Sequence, residues 1–377
     1  MVNALNIGGT EKILIDTINR MDPERYSISI ISLSPYSADK SIFRVCPQLP
    51  HVRVFYIPFG FYGNYSLSGY LWLLFRPRRF YTGIEALSAQ ARSLQPQIIH
   101  FHTSPRELLL RKFLGIPARY VFTDHTLRIG GPSPAGLSRT LLSLLFRRFY
   151  KGFSVITVSE EIRNSLYRYR IVPPSQNVLV LLNSIDPSHF VPSRHSDTPA
   201  GLRAVYVSRI DHNKGHADLL KAWSLLGDIP DKHLFIVGPD ALSGQMQALA
   251  DQLGCRDSVS FTGAVSDPRE ILEKSNLALF PSYKEGLPLS LLEKMAMCLP
   301  VIVSDIPELS AVIRDQENGL VFRTGDAADL AARIRHLYRH PELAAALGRQ
   351  ARQTVETRYN SSEVIRTLDT FYSSVLK

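Results

Sequence analysis

Short runs of β-branched and aromatic residues alternate with helical stretches along the whole 377-residue chain, and this alternation is the strongest constraint on its fold. Strands separated by helices join as βα units, and a series of such units builds a parallel sheet covered by helices. The first series of strand runs is "YSISIISL", "VRVFYI", "QIIHFH", "RYVFT", "FSVITVS" and "NVLVLL". The second is "LRAVYVS", "KHLFIVG", "SVSFTG", "LALFPS", "PVIVSD" and "GLVF". Helical patterns between them include residues 215–226, 243–253 and 327–339. The Pro-, Ser- and His-rich stretch "DPSHFVPSRHSDTPAG" separates the two series and reads as a linker. A chain of this length exceeds what one core usually serves. The expectation is an α/β protein of two doubly wound domains, 1–183 and 184–355, facing a central cleft, with a last helix in 356–377 packed back on the first domain. Ligands of such sheets bind beyond the carboxyl ends of the strands, so the loops there carry the functional reading.

Composition narrows the class. The three cysteines, Cys46, Cys255 and Cys298, have neither pairing nor metal spacing, which favours a reducing compartment. No apolar run approaches the roughly 20 residues of a membrane span, and no basic-then-apolar leader is read, so the expected location is cytoplasmic. Charge is uneven: residues 1–183 hold 22 Lys and Arg against 10 Asp and Glu, the remainder 21 against 24. A basic first half implies an anionic partner there.

The stretch "YKEGLPLSLLEKMAMCLP", residues 283–300, sets Glu285 before a helix start and Glu293 inside it. Pro288 suits a first helical turn, where the N–H it lacks has no intrahelical partner. Residues 289–297 are apolar on nearly every face, so the helix reads as buried. Its N-terminus favours an anion, and Gly286 and Leu287 allow close approach. Helical side chains lean toward the N-terminus, so Glu293 is placed to reach a hydroxyl of a ligand whose phosphates sit there. Taken alone, the stretch fits equally well an ordinary acidic residue near a helix start and a solvated helix glutamate.

With its neighbours, this stretch resembles the E-x7-E signature of the retaining glycosyltransferases of family 4, which have the GT-B fold. "VSRIDHNKGHADLLKAW" resembles their diphosphate-binding segment, "LNIGGTEK" their N-terminal Gly-Gly loop, and "VSFTGAVSDPREIL" their base-binding turn. Order and spacing match over nearly the whole chain. Two departures stand out: Cys298 where the family usually has glycine, and Ser208 where glycine often precedes the arginine.

The resemblance implies a hexosyl-type transferase that takes a nucleotide-diphosphate sugar, a UDP-sugar for preference. By it, Arg209 and Lys214 bind the diphosphate, where fixed cations offset the charge that grows as the bond breaks. Gly8 and Gly9 offer backbone N–H groups at a helix start. Glu293 binds the ribose, Glu285 holds donor-sugar hydroxyls, Gly286, Leu287 and Pro288 form the phosphate-facing turn, and Val265 meets the base through its backbone. His125 corresponds to the family's active-site histidine. His102 is the weaker acceptor-side candidate; it shares a strand face with His100 by the two-residue period. No closely spaced carboxylate pair of the kind retaining glycosidases use is read here, nor an Asp-x-Asp metal anchor. No cofactor and no metal are expected, the leaving phosphate itself taking the acceptor's proton.

The acceptor class implied is a glycan or lipid-linked glycan, in polysaccharide or glycolipid synthesis. Two stretches, "YLWLLFRPRRFY" at 70–81 and "LSRTLLSLLFRRFYKGF" at 137–153, set Arg and Lys beside Leu and Phe, as helices lying on an anionic membrane do. A core helix with a charged end fits the second stretch too. No nucleic-acid motif accompanies the charge, so no nucleic-acid partner is expected. Alternative readings are a GT-B nucleotide-sugar epimerase or hydrolase, and a non-catalytic scaffold that binds glycan or membrane. Finally, "MVNAL" before the Gly-Gly pair is short for the central strand that leads into such a loop. That strand is expected to be only partly built, the rest coming from residues upstream of Met1 or from a partner.

Overall fold

The computed structural model describes all residues except 4, 6–8, 35–37, 39–40, 45–49, 58–76, 126–136, 193–200, 266 and 286–288. The chain forms two compact units: Met1–Leu182 with Glu363–Lys377, and Asn183–Ser362.

In the first unit, β1 (Ser29–Ser32) pairs with β2 (Arg53–Tyr56), and β3 (Ile98–Phe101), β4 (Arg119–Asp124), β5 (Ser154–Thr157) and β6 (Val178–Val180) follow one another in a second sheet, all parallel. Single bridges from Val2 to Ser32 and to His102 join the two sheets. The combined order, β2-β1-Val2-β3-β4-β5-β6, reverses direction at Val2. Helices α1 (Gly9–Arg20), α2 (Pro77–Ser93), α3 (Leu137–Tyr150) and α4 (Glu160–Arg168) connect these strands. The strands are short and apolar because parallel sheets are covered on both faces; Phe101, Val121, Phe122, Val155 and Ile156 are fully buried.

The second unit holds one parallel sheet of order β12-β11-β10-β7-β8-β9, from β7 (Leu202–Val207), β8 (Lys232–Val237), β9 (Val259–Gly263), β10 (Leu277–Phe280), β11 (Val301–Ser304) and β12 (Leu320–Phe322). The order reverses between β7 and β10, which makes the gap beyond their carboxyl ends the switch point of the sheet. Helices α5 (His216–Ser224), α6 (Gln245–Gln252), α7 (Leu289–Ala296), α8 (Ala327–Arg339) and α9 (Pro341–Arg358) cover it. Asp326 caps α8 through the N–H groups of Ala328 and Asp329, which explains its sharp start. Just after α7, Cys298 has φ of +58°, the left-handed region that glycine favours; its carbonyl lies where a Cβ on Gly348 would stand only 2.0 Å away.

The last helix, α10 (Ser361–Leu376), belongs to the first unit from Glu363 on. Leu368 packs with Val121 and Ile156, and Arg25 meets Asp369 at 2.7 Å.

Candidate active site

Two loops leave the switch point of the second sheet, one after β7 and one after β10. In the first, Asp211 accepts from the N–H of Asn213 at 2.9 Å and so starts the helical turn His212–Lys214. Gly215 ends it at φ +66°, and a Cβ there would come within 1.9 Å of the Pro281 carbonyl. Glycine at 215 thus lets the two loops touch. Tyr283 N–H donates to the Asn213 carbonyl at 2.8 Å, and its hydroxyl to Asp218 at 2.5 Å, closing the seam.

This seam brings Lys214 and Glu285 together. The Lys214 ammonium lies 2.6 Å from Glu285 Oε2, with the two side chains 19% and 9% exposed. Ser282 donates to Glu285 Oε1 at 2.6 Å, Tyr206 lies 2.9 Å from the Ser282 hydroxyl, and Ser304 donates to the Ser282 carbonyl at 2.5 Å. Tyr206, Ser282 and Ser304 are fully buried. Burial, then the Glu285 charge, pushes the Tyr206 phenol far above its ordinary range, so it stays protonated. Charge-assisted bonds of this kind fix a carboxylate in one orientation. Sequence reading passed over Tyr206 and Ser282. Their signal was a hydroxyl inside an apolar strand run ("AVYVS") and another ending one ("LALFPS").

Arg209 is elsewhere. Its guanidinium, 64% exposed, bonds Asp211 Oδ2 through two nitrogens at 3.0 and 2.7 Å. Partial burial pushes the Asp211 carboxyl up, but the bonds from Arg209 and from the Asn213 N–H outweigh it and hold the group below its usual value. Glu293 is 4% exposed inside α7, which excludes a solvated helix glutamate; the fully buried Lys294 ammonium lies 3.6 Å from its Oε2. Val265 is exposed beyond β9. Gly9 opens α1, while Gly8, Gly286, Leu287, Pro288 and most of the 70–81 stretch lie outside the described residues.

The first unit gathers histidines at the carboxyl ends of β3 and β4. The His100 and His102 rings lie with centroids 4.1 Å apart, tilted by 38°, and His102 Nδ1 lies 3.2 Å from His125 Nε2. His100 is held from both sides, 2.6 Å from the Tyr372 hydroxyl and 2.7 Å from Thr123 Oγ1. Burial, and next the Met1 amine for His100 and the His100 ring for His102, pulls both pKa values well below 6.5. They are neutral imidazoles at pH 7, able to exchange hydrogen bonds with hydroxyl groups. Among the described residues, no cluster of three or more His, Cys, Asp or Glu is arranged to hold a metal ion.

Two family descriptions match the chain in tandem: glycosyltransferase family 4 over residues 7–189 and glycosyl transferases group 1 over residues 199–354. A glycosyltransferase of Bacillus subtilis (strain 168), EpsD, is 34% identical over 46% of this chain, and the match spans 45% of that relative. The N-acetyl-alpha-D-glucosaminyl L-malate synthase of Bacillus anthracis is 24% identical over 74% of this chain and 75% of its own length. Among solved structures, Anabaena HepE in complex with UDP superposes with a TM-score of 0.76 at 17% identity, covering 99% of this chain and 98% of that one. Tandem family matches over both units, and a fold shared along the full length, make this chain a glycosyltransferase of the GT-B type.

Proposed function

We propose that the chain is a retaining transferase of the E-x7-E kind, moving a sugar from a UDP-sugar to a glycan or lipid-linked acceptor in polysaccharide or glycolipid synthesis. The observation that carries this reading is the Lys214–Glu285 pair at the switch point of the second sheet. An ammonium fixed there meets the diphosphate as its charge grows, and costs no reorganisation at that moment. Glu285, held by Ser282, aims its carboxylate at the hydroxyls of the donor sugar. Arg209, out in solvent on Asp211, swings to the same diphosphate when donor arrives. Glu293 takes the ribose hydroxyls, Val265 the base, and residues 286–288 with Gly8 and Gly9 the phosphates.

In the reaction, the bond from the anomeric carbon to the diphosphate oxygen breaks, and the acceptor oxygen bonds that carbon on the same face. The acceptor's proton goes to the departing phosphate oxygen. His125, with His102 beside it, offers hydrogen-bonding groups to sugar and acceptor. No metal takes part in this scheme. HepE, a structural neighbour, was solved with UDP, which supports the choice of base.

The proposed setting is an anionic membrane surface. Leu144 and Leu145 are exposed on α3 at 58% and 44%, next to the exposed Arg147 and Arg148, although Phe149 and Tyr150 at the same helix end are buried. An exposed apolar pair beside basic residues suits an interface helix. No helix among the described residues is long and apolar enough to cross a membrane.

A thermal-shift screen over nucleotide sugars tests the donor, since a bound donor raises stability by mass action. Turnover of the donor so found, followed by NMR of the product's anomeric centre with and without EDTA, tests the rest. Retention and full activity in EDTA are expected; inversion, or a strict metal requirement, would sink the mechanism.

A further inference from the structure

Among the described residues, Lys294 is the one lysine or arginine that is fully buried. Its neighbours along α7, Leu291, Leu292, Met295 and Ala296, are fully buried as well. A lysine stem usually carries its ammonium out to water. Leaving that charge inside is costly unless a counter-charge offsets it. The counter-charge here is Glu293, itself buried, with Oε2 3.6 Å from the ammonium.

A lysine in a last helical turn often serves the helix end, bonding its carbonyls or meeting the negative end of its dipole. At the end of α7 the carbonyls already have donors. Glu293 accepts from the Met297 N–H at 3.1 Å, Lys294 from the Leu299 N–H at 3.1 Å and Met295 from the Cys298 N–H at 3.0 Å. Arg352 of α9 donates to the Ala296 carbonyl at 2.5 Å. Cys298 makes this closure from the left-handed region, at φ +58°. The helix end therefore does not call for the ammonium, and the backbone beneath Glu293 and Lys294 is fixed. What the ammonium serves is the carboxylate beside it.

We propose that Lys294 is a positioning residue for ribose recognition: its ammonium offsets the burial of the Glu293 carboxylate and holds Oε2, so that the ribose hydroxyls meet a charged acceptor in a fixed place. This rests on the reading that Glu293 takes the ribose. Hydrogen bonds to a charged acceptor are about twice as strong as those between neutral groups. The pair thus makes the chain selective for ribose over deoxyribose in its donor, through a residue that does not itself touch the nucleotide.

The test measures Kd for UDP and for 2′,3′-dideoxy-UDP by calorimetry on the full chain. Both nucleotides carry the same base and diphosphate, so the ratio of the two reads the ribose hydroxyls alone. The unsubstituted chain should favour UDP by about 10-fold or more, the scale of a hydrogen bond to a charged group. Glu293→Gln and Lys294→Met should each erase most of that preference. Combined, they should erase no more than either alone, because Lys294 acts through Glu293. The combined variant should also melt higher than Lys294→Met, since no carboxylate is then left buried without its counter-charge. If Lys294→Met keeps the preference while Glu293→Gln loses it, the proposal is overturned and the ribose reading stands. If Glu293→Gln keeps the preference too, the ribose reading falls and takes the proposal with it. A combined variant no more stable than Lys294→Met would overturn the pairing itself, with no nucleotide involved.

Discussion

The two units follow one strand plan but differ at its centre. In the second, β7 runs six residues, Leu202–Val207, and pairs with β8 along its whole length and with β10 near its middle. In the first, Val2 holds the equivalent place, bridged to Ser32 on one side and to His102 on the other. Yet both units present chemistry where their strands end, Lys214 and Glu285 in one, His102 and His125 in the other. The carboxyl-end register positions those side chains, and Val2 preserves it in the first unit. The chemistry differs too. The second unit holds an ion pair oriented by buried hydroxyls, suited to growing negative charge, and the first holds the neutral imidazoles of His100 and His102, suited to hydroxyl groups.

That division can be broken by substitution. Lys214→Ala and Glu285→Gln should each lower kcat/KM by roughly 10²-fold or more, the scale for removing one preorganised electrostatic group. His125→Ala should cost about 10-fold, the scale for removing one hydrogen-bonding partner of sugar and acceptor. Steady-state kinetics on folded variants, checked by Tm, reads both. A larger loss at His125 than at Lys214 would move the centre of the reaction to the first unit.

A second contrast lies on the surface, where the first half of the chain carries the excess of Lys and Arg. Arg147→Glu with Arg148→Glu should weaken binding to vesicles with anionic lipid by about 30-fold or more, at about 1 kcal/mol for each basic residue lost. Nucleotide affinity, which the proposed function assigns to the second unit, should not change. Sedimentation with vesicles at low and high salt checks this. Binding that ignores both salt and the charge reversal would leave an apolar contact only.

The strands of both units were legible because a parallel sheet buried on both faces writes each strand as an apolar run, from "VSFTG" to "LALF". The burial of Glu293 was not legible. A glutamate in a helix usually faces water, and only the packing of α7 reveals that this one does not. The Lys214–Glu285 meeting was beyond reach for another reason: these residues are brought together by a sheet order that places β10 beside β7. Their candidacy came from motif likeness, whereas Ser282 and Tyr206, which orient Glu285, came only from the geometry. The glycine-to-cysteine departure at 298 has a physical face in its positive φ.

The hydroxyl network sharpens the comparison further. Ser282→Ala frees Glu285 Oε1 and leaves the buried Tyr206 hydroxyl without its serine partner. A loss of about 10-fold in kcat, with KM for the donor changed less, is expected from a carboxylate no longer held in line. Ser282→Thr should restore most of it, because the hydroxyl is what matters. If alanine and threonine behave alike, Ser282 serves packing and Glu285 is oriented by Lys214 alone.

The smallest effect concerns acid. In the first unit, burial pulls down the pKa of the Met1 amine to about 5 and those of His100 and His102 well below 6.5. In the second, burial takes His216 to about 4, and burial followed by the Arg203 charge lowers His233. All five are bases that the folded chain protonates less readily than the unfolded chain does. Between the two pKa values of each group the unfolded state binds the extra proton, so stability rises with pH there. The histidine contribution is therefore full above about pH 7 and is lost as pH falls through about 6.5, by at most about 1.4 kcal/mol per pH unit for each group. The Met1 amine adds a loss that starts higher, below its ordinary value of 8.0. Tm should fall steadily from pH 7.5 to 5.5, above the range where carboxylates begin to protonate. His102→Asn removes one of these groups, and Tm should then fall less over the same interval, whatever its value at pH 7.5. An unaltered slope would mean that His102 takes up a proton as easily folded as unfolded, and that the first unit's imidazole cluster is wetter and more charged than its burial implies.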